Sequence, residues 1–168
     1  VTITDANGTT VDTVRVVINY HPVTNTSTLE TFATIQEAID ATNTVNGNTI
    51  VVCAGIYNEQ VVVNKELDIR GPNYGIDPNV GPLGAPAIIT FPTASDGGEL
   101  MVIRADDVKV DGFTFDGSNN VTATGSSGIT AYGDNIEVTN NTVSNFNYVS
   151  VWFSSYHPDY PTPSQGTF

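Results

Sequence analysis

Acidic oxygen donors are the most abundant chemistry-bearing groups in this 168-residue chain, where 18 Asp and Glu stand against 5 Lys and Arg for a formal charge of −13. Three oxygen-rich turns concentrate them: Asp5-Ala6-Asn7-Gly8, Asp96-Gly97-Gly98-Glu99 and Asp116-Gly117-Ser118-Asn119. Calcium takes roughly 6–8 oxygen ligands, so Asp96, Glu99 and Asp116 are the candidate ligands for Ca²⁺, the one cofactor the sequence suggests. None of the three turns has the full spacing of a calcium-binding loop, and plain Asx and glycine turns account for the same residues. A second constellation is Asn73, Tyr74 and Asp77, which sets a ring beside hydroxyl-bonding partners in a Pro- and Gly-rich stretch. Such a group can stack on a sugar ring and bond its hydroxyls, and a plain loop shielding the neighbouring strands is the competing expectation.

Asp106, Asp107 and Asp111 form the tightest acid cluster, and Arg70 and Arg104 each stand two residues from an acid, Asp68 and Asp106. Salt bridges explain those Arg positions better than proton abstraction does. The single cysteine, Cys53, has no disulfide partner and lies in the apolar run Ile50–Ala54, so a buried thiol is expected. His21 and His157 sit beside prolines in polar surroundings and offer it no base. Glycosylation sequons begin at Asn7, Asn25, Asn120 and Asn140, a weak pointer to a surface setting in a Thr- and Asn-rich chain. The shortage of Lys and Arg argues against nucleic acid and anionic membranes as partners. No run approaches the roughly 18 apolar residues of a membrane span. Disorder is disfavoured by 39% hydrophobic residues rich in β-branched types.

The elements that must position these residues are set by an internal repeat. Met101–Val110 lies over Ile129–Val138 at an offset of 28 residues without a gap, and Phe113–Phe115 continues over Asn141–Val143. Val61–Gly71 fits the same template with one residue fewer in its turn, and Val149–Phe153 begins a weaker copy. Apolar residues alternate inside each copy (Val61/Val63, Leu67/Ile69, Met101/Ile103, Val108/Val110, Ile136/Val138), the period of a strand with one buried face. Stacking equivalent strands about 4.8 Å apart buries all those faces in one column. The fold class expected is all-β: a parallel β-helix, a solenoid of ~28-residue coils. Its first edge needs a cover. Thr34-Ile35-Gln36-Glu37-Ala38-Ile39 supplies one, a short N-terminal capping helix with a Thr34–Glu37 capping box and Ile35, Ala38 and Ile39 on one face. Asn140-Asn141, at the polar kink, is expected to start an asparagine stack between coils.

Phe32–Ile39, Thr49–Glu59 and Leu67–Gly71 together resemble the N-terminal cap and first coil of right-handed parallel β-helix proteins of the pectin-lyase-like kind, pectin methylesterases and bacterial surface adhesins among them. Val1–Gly8 separately resembles the closing strand and turn of Thr-rich modules in large bacterial surface proteins. The pectin methylesterase resemblance would imply catalytic aspartates near Asp106, Asp107 and Asp111, but that family's flanking motifs are absent, and Asp106 aligns with Asp134 at a turn. The polygalacturonase motifs are absent too. No catalytic residue is therefore assigned.

The expected organisation is an N-terminal strand or linker segment over 1–30 and a β-helix domain over 31–168. Within the domain lie the capping helix (32–48), the coils (49–153) with an excursion at 72–98, and an aromatic tail (154–168) containing Tyr156, Tyr160 and Phe168. The whole is expected to be a piece of a longer chain. The leading expectation for function is a non-catalytic, extracellular or cell-surface module for adhesion or carbohydrate binding, with a glycan or cell-surface ligand as partner. A carbohydrate-active esterase or lyase and a structural stalk with head-to-tail self-association are the alternatives.

Overall fold

The computed structural model describes residues 2–4, 7–8, 10–13, 20–92, 97–120 and 125–154. An antiparallel pair stands at the start, β1 (Thr2–Thr4) and β2 (Thr10–Thr13). There follow β3 (Val23–Asn25), β4 (Glu30–Phe32), α1 (Ile35–Asp40), β5 (Asn48–Val52), β6 (Gly55–Asn58), β7 (Val61–Val63) and β8 (Leu67–Arg70). Then come β9 (Ala87–Thr90), β10 (Gly98–Ile103), β11 (Lys109–Asp111), β12 (Thr114–Asp116), a 3-10 turn (Gly117–Asn119), β13 (Ser126–Ala131), β14 (Glu137–Thr139), β15 (Thr142–Ser144) and β16 (Val149–Phe153). Among the described residues the fold is all-β apart from the short helix α1 and the 3-10 turn.

Three sheets carry the architecture, in the strand orders β16-β13-β10-β7, β14-β11-β8-β5-β3-β4 and β15-β12-β9-β6. Every pairing in them is parallel except those of β3. The 28-residue offset appears in all three: Met101 pairs with Ile129, Val110 with Val138 and Phe115 with Val143. Earlier and later steps differ in length because loops intervene. Val61 pairs with Met101 across the long excursion, while Ile129 reaches Val151 over a shorter path.

In β5, β7 and β8 alternation sends one side chain in two into a shared core, whereas β10 from Leu100 to Ile103 and β13 throughout are buried on both faces. The rows Ile50–Ile69–Val110 and Tyr57–Ile89–Phe115 are buried, as are Val63, Ile103 and Ala131 along the third sheet. In the last strand of each sheet burial fades, and Val138, Val143 and Val151 are only partly covered. The same alternation corrects the expectation for Cys53, which is exposed. Ile50 and Val52 take the inward positions of β5, so Val51 and Cys53 face out. An apolar run of five is not uniformly buried when only one face of the sheet is covered.

Helix α1 starts where the capping box placed it: Thr34 Oγ1 accepts from Glu37 N at 3.1 Å. Glu37 Oε2 reaches one residue further back, to Ala33 N at 3.1 Å. Ile35, Ala38 and Ile39 are fully buried. On the opposite flank, Gln36 Oε1 accepts from Val62 N at 2.7 Å and its Nε2 donates to Val62 O at 3.3 Å. One amide side chain thus occupies the free edge of β7 as a neighbouring strand would. The edge of β5 is covered by β3, whose Val23 and Asn25 point inward and pair with Val52 and Ile50. The six-stranded sheet therefore begins within the N-terminal segment and not after residue 31.

Candidate functional site

The excursion leaves the chain after β8, and its root is bolted to the next repeat. Gly71 N donates to Asp111 O at 2.8 Å, Asn73 N to Gly112 O at 3.3 Å, and Gly75 N to Asp111 Oδ1 at 3.0 Å. Gly112 has φ +83°, and a Cβ there would lie 2.2 Å from Tyr74 N, so the loop can lie this close only over a glycine. The Asp111 carboxylate also accepts from Thr139 Oγ1 at 3.1 Å and from Asn140 Nδ2 at 3.1 and 3.0 Å. It joins loop, strand and following repeat.

This anchoring distributes the three sugar-site candidates unevenly. Asn73 is buried, and its amide closes the loop on Gly84, accepting from Gly84 N at 2.8 Å and donating to Gly84 O at 3.4 Å. Asp77 is exposed at a turn and accepts from Asn79 N at 2.8 Å and Asn79 Nδ2 at 3.1 Å. Tyr74 is 47% exposed, with the Arg70 guanidinium 4.4 Å from its ring centroid, a cation–π distance. Arg70 is in turn held by Asp68, with Nε to Oδ2 at 3.0 Å, and that hydrogen bond raises the guanidinium pKa.

Beside Tyr74 the outward face of the sheet carries alternating charge. Asp68, Lys109 and Glu137 stand in one cross-strand row, and Arg70, Asp111 and Thr139 in the next. Lys109 Nζ meets Glu137 Oε1 at 2.9 Å, which lifts the lysine pKa. The arrangement offers a ring face and a dense set of polar groups on rigid strands.

The other candidates serve turns. Asp106 Oδ1 accepts from Asp134 N at 2.8 Å and Asp107 Oδ1 from Asn135 Nδ2 at 2.5 Å, each bridging consecutive repeats. Arg104 makes no ion pair with Asp106, because that carboxylate is turned along the stack toward the equivalent turn of the next repeat. In place of an asparagine stack, Asn141 bridges backward, Nδ2 to Val110 O at 2.8 Å and Oδ1 from Phe113 N at 2.9 Å.

Of the calcium candidates, Asp96 lies outside the described residues. Glu99 is on β10, where Oε1 accepts from Tyr132 Oη at 3.4 Å. Asp116 ends β12 in a different sheet, taking hydrogen bonds from Ser118 N at 3.0 Å and Asn145 Nδ2 at 2.8 Å. Burial pushes its pKa up, but those hydrogen bonds outweigh it and hold the carboxyl below its usual range. Among the described residues no three His, Cys, Asp or Glu side chains converge as metal ligands. The sequon at Asn25 is fully buried: its Nδ2 donates to Thr44 Oγ1 at 2.9 Å and Asn48 Oδ1 at 3.0 Å, so this fold has no room for a glycan there. In the aromatic tail, Tyr156, Tyr160 and Phe168 lie outside the described residues, while Trp152 and Phe153 of β16 are exposed.

Sequence reasoning missed one feature, a pocket of about 250 Å³ along β6, lined by Tyr20, Pro22, Thr34, Ile56, Tyr57 and Glu59 among others. Glu59 accepts from Ile35 N and Gln36 N, both at 2.9 Å; burial raises its pKa against the pull of those two bonds. Tyr57 Oη donates to Cys53 O at 2.8 Å, and burial raises that phenol as well. The pocket brings Tyr20, Pro22 and Thr34 against Ala54–Glu59, segments far apart in sequence, so no residue pattern within β6 advertises it.

A cell surface glycoprotein of Methanothermus fervidus is 35% identical over 133 residues, a stretch that takes in 77% of this chain and 18% of that protein. The chain thus spans less than a fifth of this relative. No protein-family model matches the chain, and no solved structure matches it.

Proposed function

We propose that the chain is a right-handed parallel β-helix module of a large cell-surface protein and that it binds carbohydrate without chemical turnover. Three parallel sheets advancing in a common register, with the short helix α1 and the antiparallel strands β3 and β4 at their head, support the solenoid. The surface setting draws on similarity to part of a protein named a cell surface glycoprotein. The observation that carries the binding reading is Tyr74: a large ring left half-exposed at the root of an anchored loop, its orientation fixed by Arg70 and its surroundings polar. With Asn73 committed to Gly84, the hydroxyl partners become Arg70, Lys109 and Asp77. Head-to-tail self-association draws no support from the N-terminal end, where β3 and Gln36 already cover two of the three sheet edges.

The test is retention on a neutral and acidic glycan array, with Tyr74→Ala and Lys109→Ala as comparators. Both side chains are at the surface, so both variants melt within a few degrees of wild type while retention falls about tenfold, the loss of roughly 1.4 kcal/mol of contact. A Tyr74→Ala protein that is destabilised but binds unchanged removes the site; release of methanol or unsaturated uronates from pectin removes the non-catalytic reading.

A further inference from the structure

The charges around Tyr74 rank the sugars its ring is able to receive. Arg70 lies over the ring, and Lys109 is an electrostatic neighbour of it. Both cations are already matched: Arg70 Nε donates to Asp68 Oδ2 at 3.0 Å, and Lys109 Nζ meets Glu137 Oε1 at 2.9 Å. Two further carboxylates have no such match. Asp111 accepts only from uncharged donors, Gly75 N, Thr139 Oγ1 and Asn140 Nδ2, and Asp77 only from Asn79. Both bonds to Asp77 fall on Oδ1, which leaves Oδ2 open on an exposed side chain. Two cations against four carboxylates leave a local charge of −2. Asp68 Oδ1, buried without a hydrogen-bond partner, adds to the surplus of acceptors.

The chain has three more Lys and Arg. Lys65 donates to Ile39 O and Ala41 O at the end of α1. Arg104 extends the β7–β10 ladder, its backbone N–H donating to Val63 O, and Arg15 lies outside the described residues. Among the described residues, then, no unpaired cation faces Tyr74.

We infer that the Tyr74 face selects sugars without a carboxylate, taking an amino sugar in preference to its neutral counterpart and rejecting the corresponding uronate. The inference rests on the carbohydrate reading above and adds the class of sugar. To bind there, a uronate has to draw Arg70 from Asp68 or Lys109 from Glu137, which bares a carboxylate beside its own. An ammonium meets Asp77 Oδ2 and the ring face that Arg70 leaves open. Two uncompensated charges at about 7 Å in water change the affinity of a unit charge about fivefold to tenfold.

The test uses the intact chain on an array printed in matched triplets, each backbone as neutral sugar, uronate and free amine. At about 10 mM salt retention runs amine over neutral over uronate, with amine and uronate at least tenfold apart. At about 1 M salt, where the Debye length is about 3 Å, the spread collapses. Glu137→Gln releases the Lys109 ammonium and Asp77→Asn removes the open carboxylate, and each narrows the low-salt spread about threefold. Uronate retained as strongly as its neutral counterpart overturns the inference and leaves carbohydrate binding standing, and so does a spread that neither salt nor the two variants move. Retention of no member of any triplet overturns the carbohydrate reading itself.

Discussion

Replacing Gly112 by alanine loads the junction that holds the excursion, and Gly75→Ala provides its control. Both glycines have positive φ, +83° and +73°, so each alanine incurs the left-handed backbone cost of roughly 1–2 kcal/mol. Each also gains a small, similar amount from a less flexible unfolded chain. The surroundings differ. A Cβ at Gly75 meets nothing within 4 Å, while one at Gly112 falls 2.2 Å from Tyr74 N and 2.4 Å from Asn73 C, both backbone atoms. Relief requires the loop root to lift by about an ångström, stretching the Asn73 N–Gly112 O and Gly75 N–Asp111 Oδ1 bonds. Overpacking of this kind costs roughly 1–3 kcal/mol. The expected totals are about 1 kcal/mol for Gly75→Ala and about 2–4 kcal/mol for Gly112→Ala. In a chain of this size 1 kcal/mol moves the melting temperature by about 2–4 °C, so circular-dichroism melts separate the two variants. Equal losses at both positions mean that the close approach of loop to strand is not formed in solution.

Val110→Asp places a carboxylate at a fully buried position and unfolds the protein, whereas Val138→Asp, on the half-covered last strand of the same row, only lowers the urea midpoint. Gln36→Leu strips β7 of its edge cover and leaves Val62 N without its acceptor. The loss is roughly 1–3 kcal/mol in urea unfolding, with concentration-dependent light scattering from the bared edge. The Asp116 pKa is held low, so the stability its charge contributes is present above the ordinary carboxylate range and lost as pH falls through the depressed value. The gap between wild type and Asp116→Asn accordingly closes on acidification in melts from pH 7 to pH 2, and a gap that widens refutes the assignment.

Much of this fold is readable from residue order because its unit is a periodic strand. The pairing of Met101 with Ile129 and of Val110 with Val138 follows from an ungapped alignment, since equivalent residues of a parallel stack must lie side by side. Thr34 and Glu37 mark the helix start because capping is a local matter of three residues. What escaped depends on distant neighbours. The sidedness of Cys53 depends on which face of β5 is covered, and the inward turn of Asn73 on where Gly84 returns. The role of Gln36 as a surrogate strand needs Val62 to lie beneath the helix, and the β6 pocket needs Tyr20, Pro22 and Thr34 to meet β6 from elsewhere in the chain. Tyr74 stands out within its loop, but its ring contact with Arg70 is not visible in residue order, where Arg70 reads only as half of an ion pair with Asp68.

The direction of the ladders has a mechanical meaning. In all three sheets the backbone hydrogen bonds point from one repeat to the next, so tension on the chain beyond β16 bears on the β13–β16, β12–β15 and β11–β14 rows before it reaches any other. Those rows hold the least buried side chains of the core. The outermost repeat therefore peels first and bares an equivalent interface behind it; the 28-residue step from Met101 to Ile129 releases roughly 90–100 Å of extended chain, the shorter step from Ile129 to Val151 less and the longer one from Val61 to Met101 more. Pulled from that end, the protein lengthens in discrete increments and dissipates work at each, while the capped end with its buried Ile35, Ala38 and Ile39 is the last to let go.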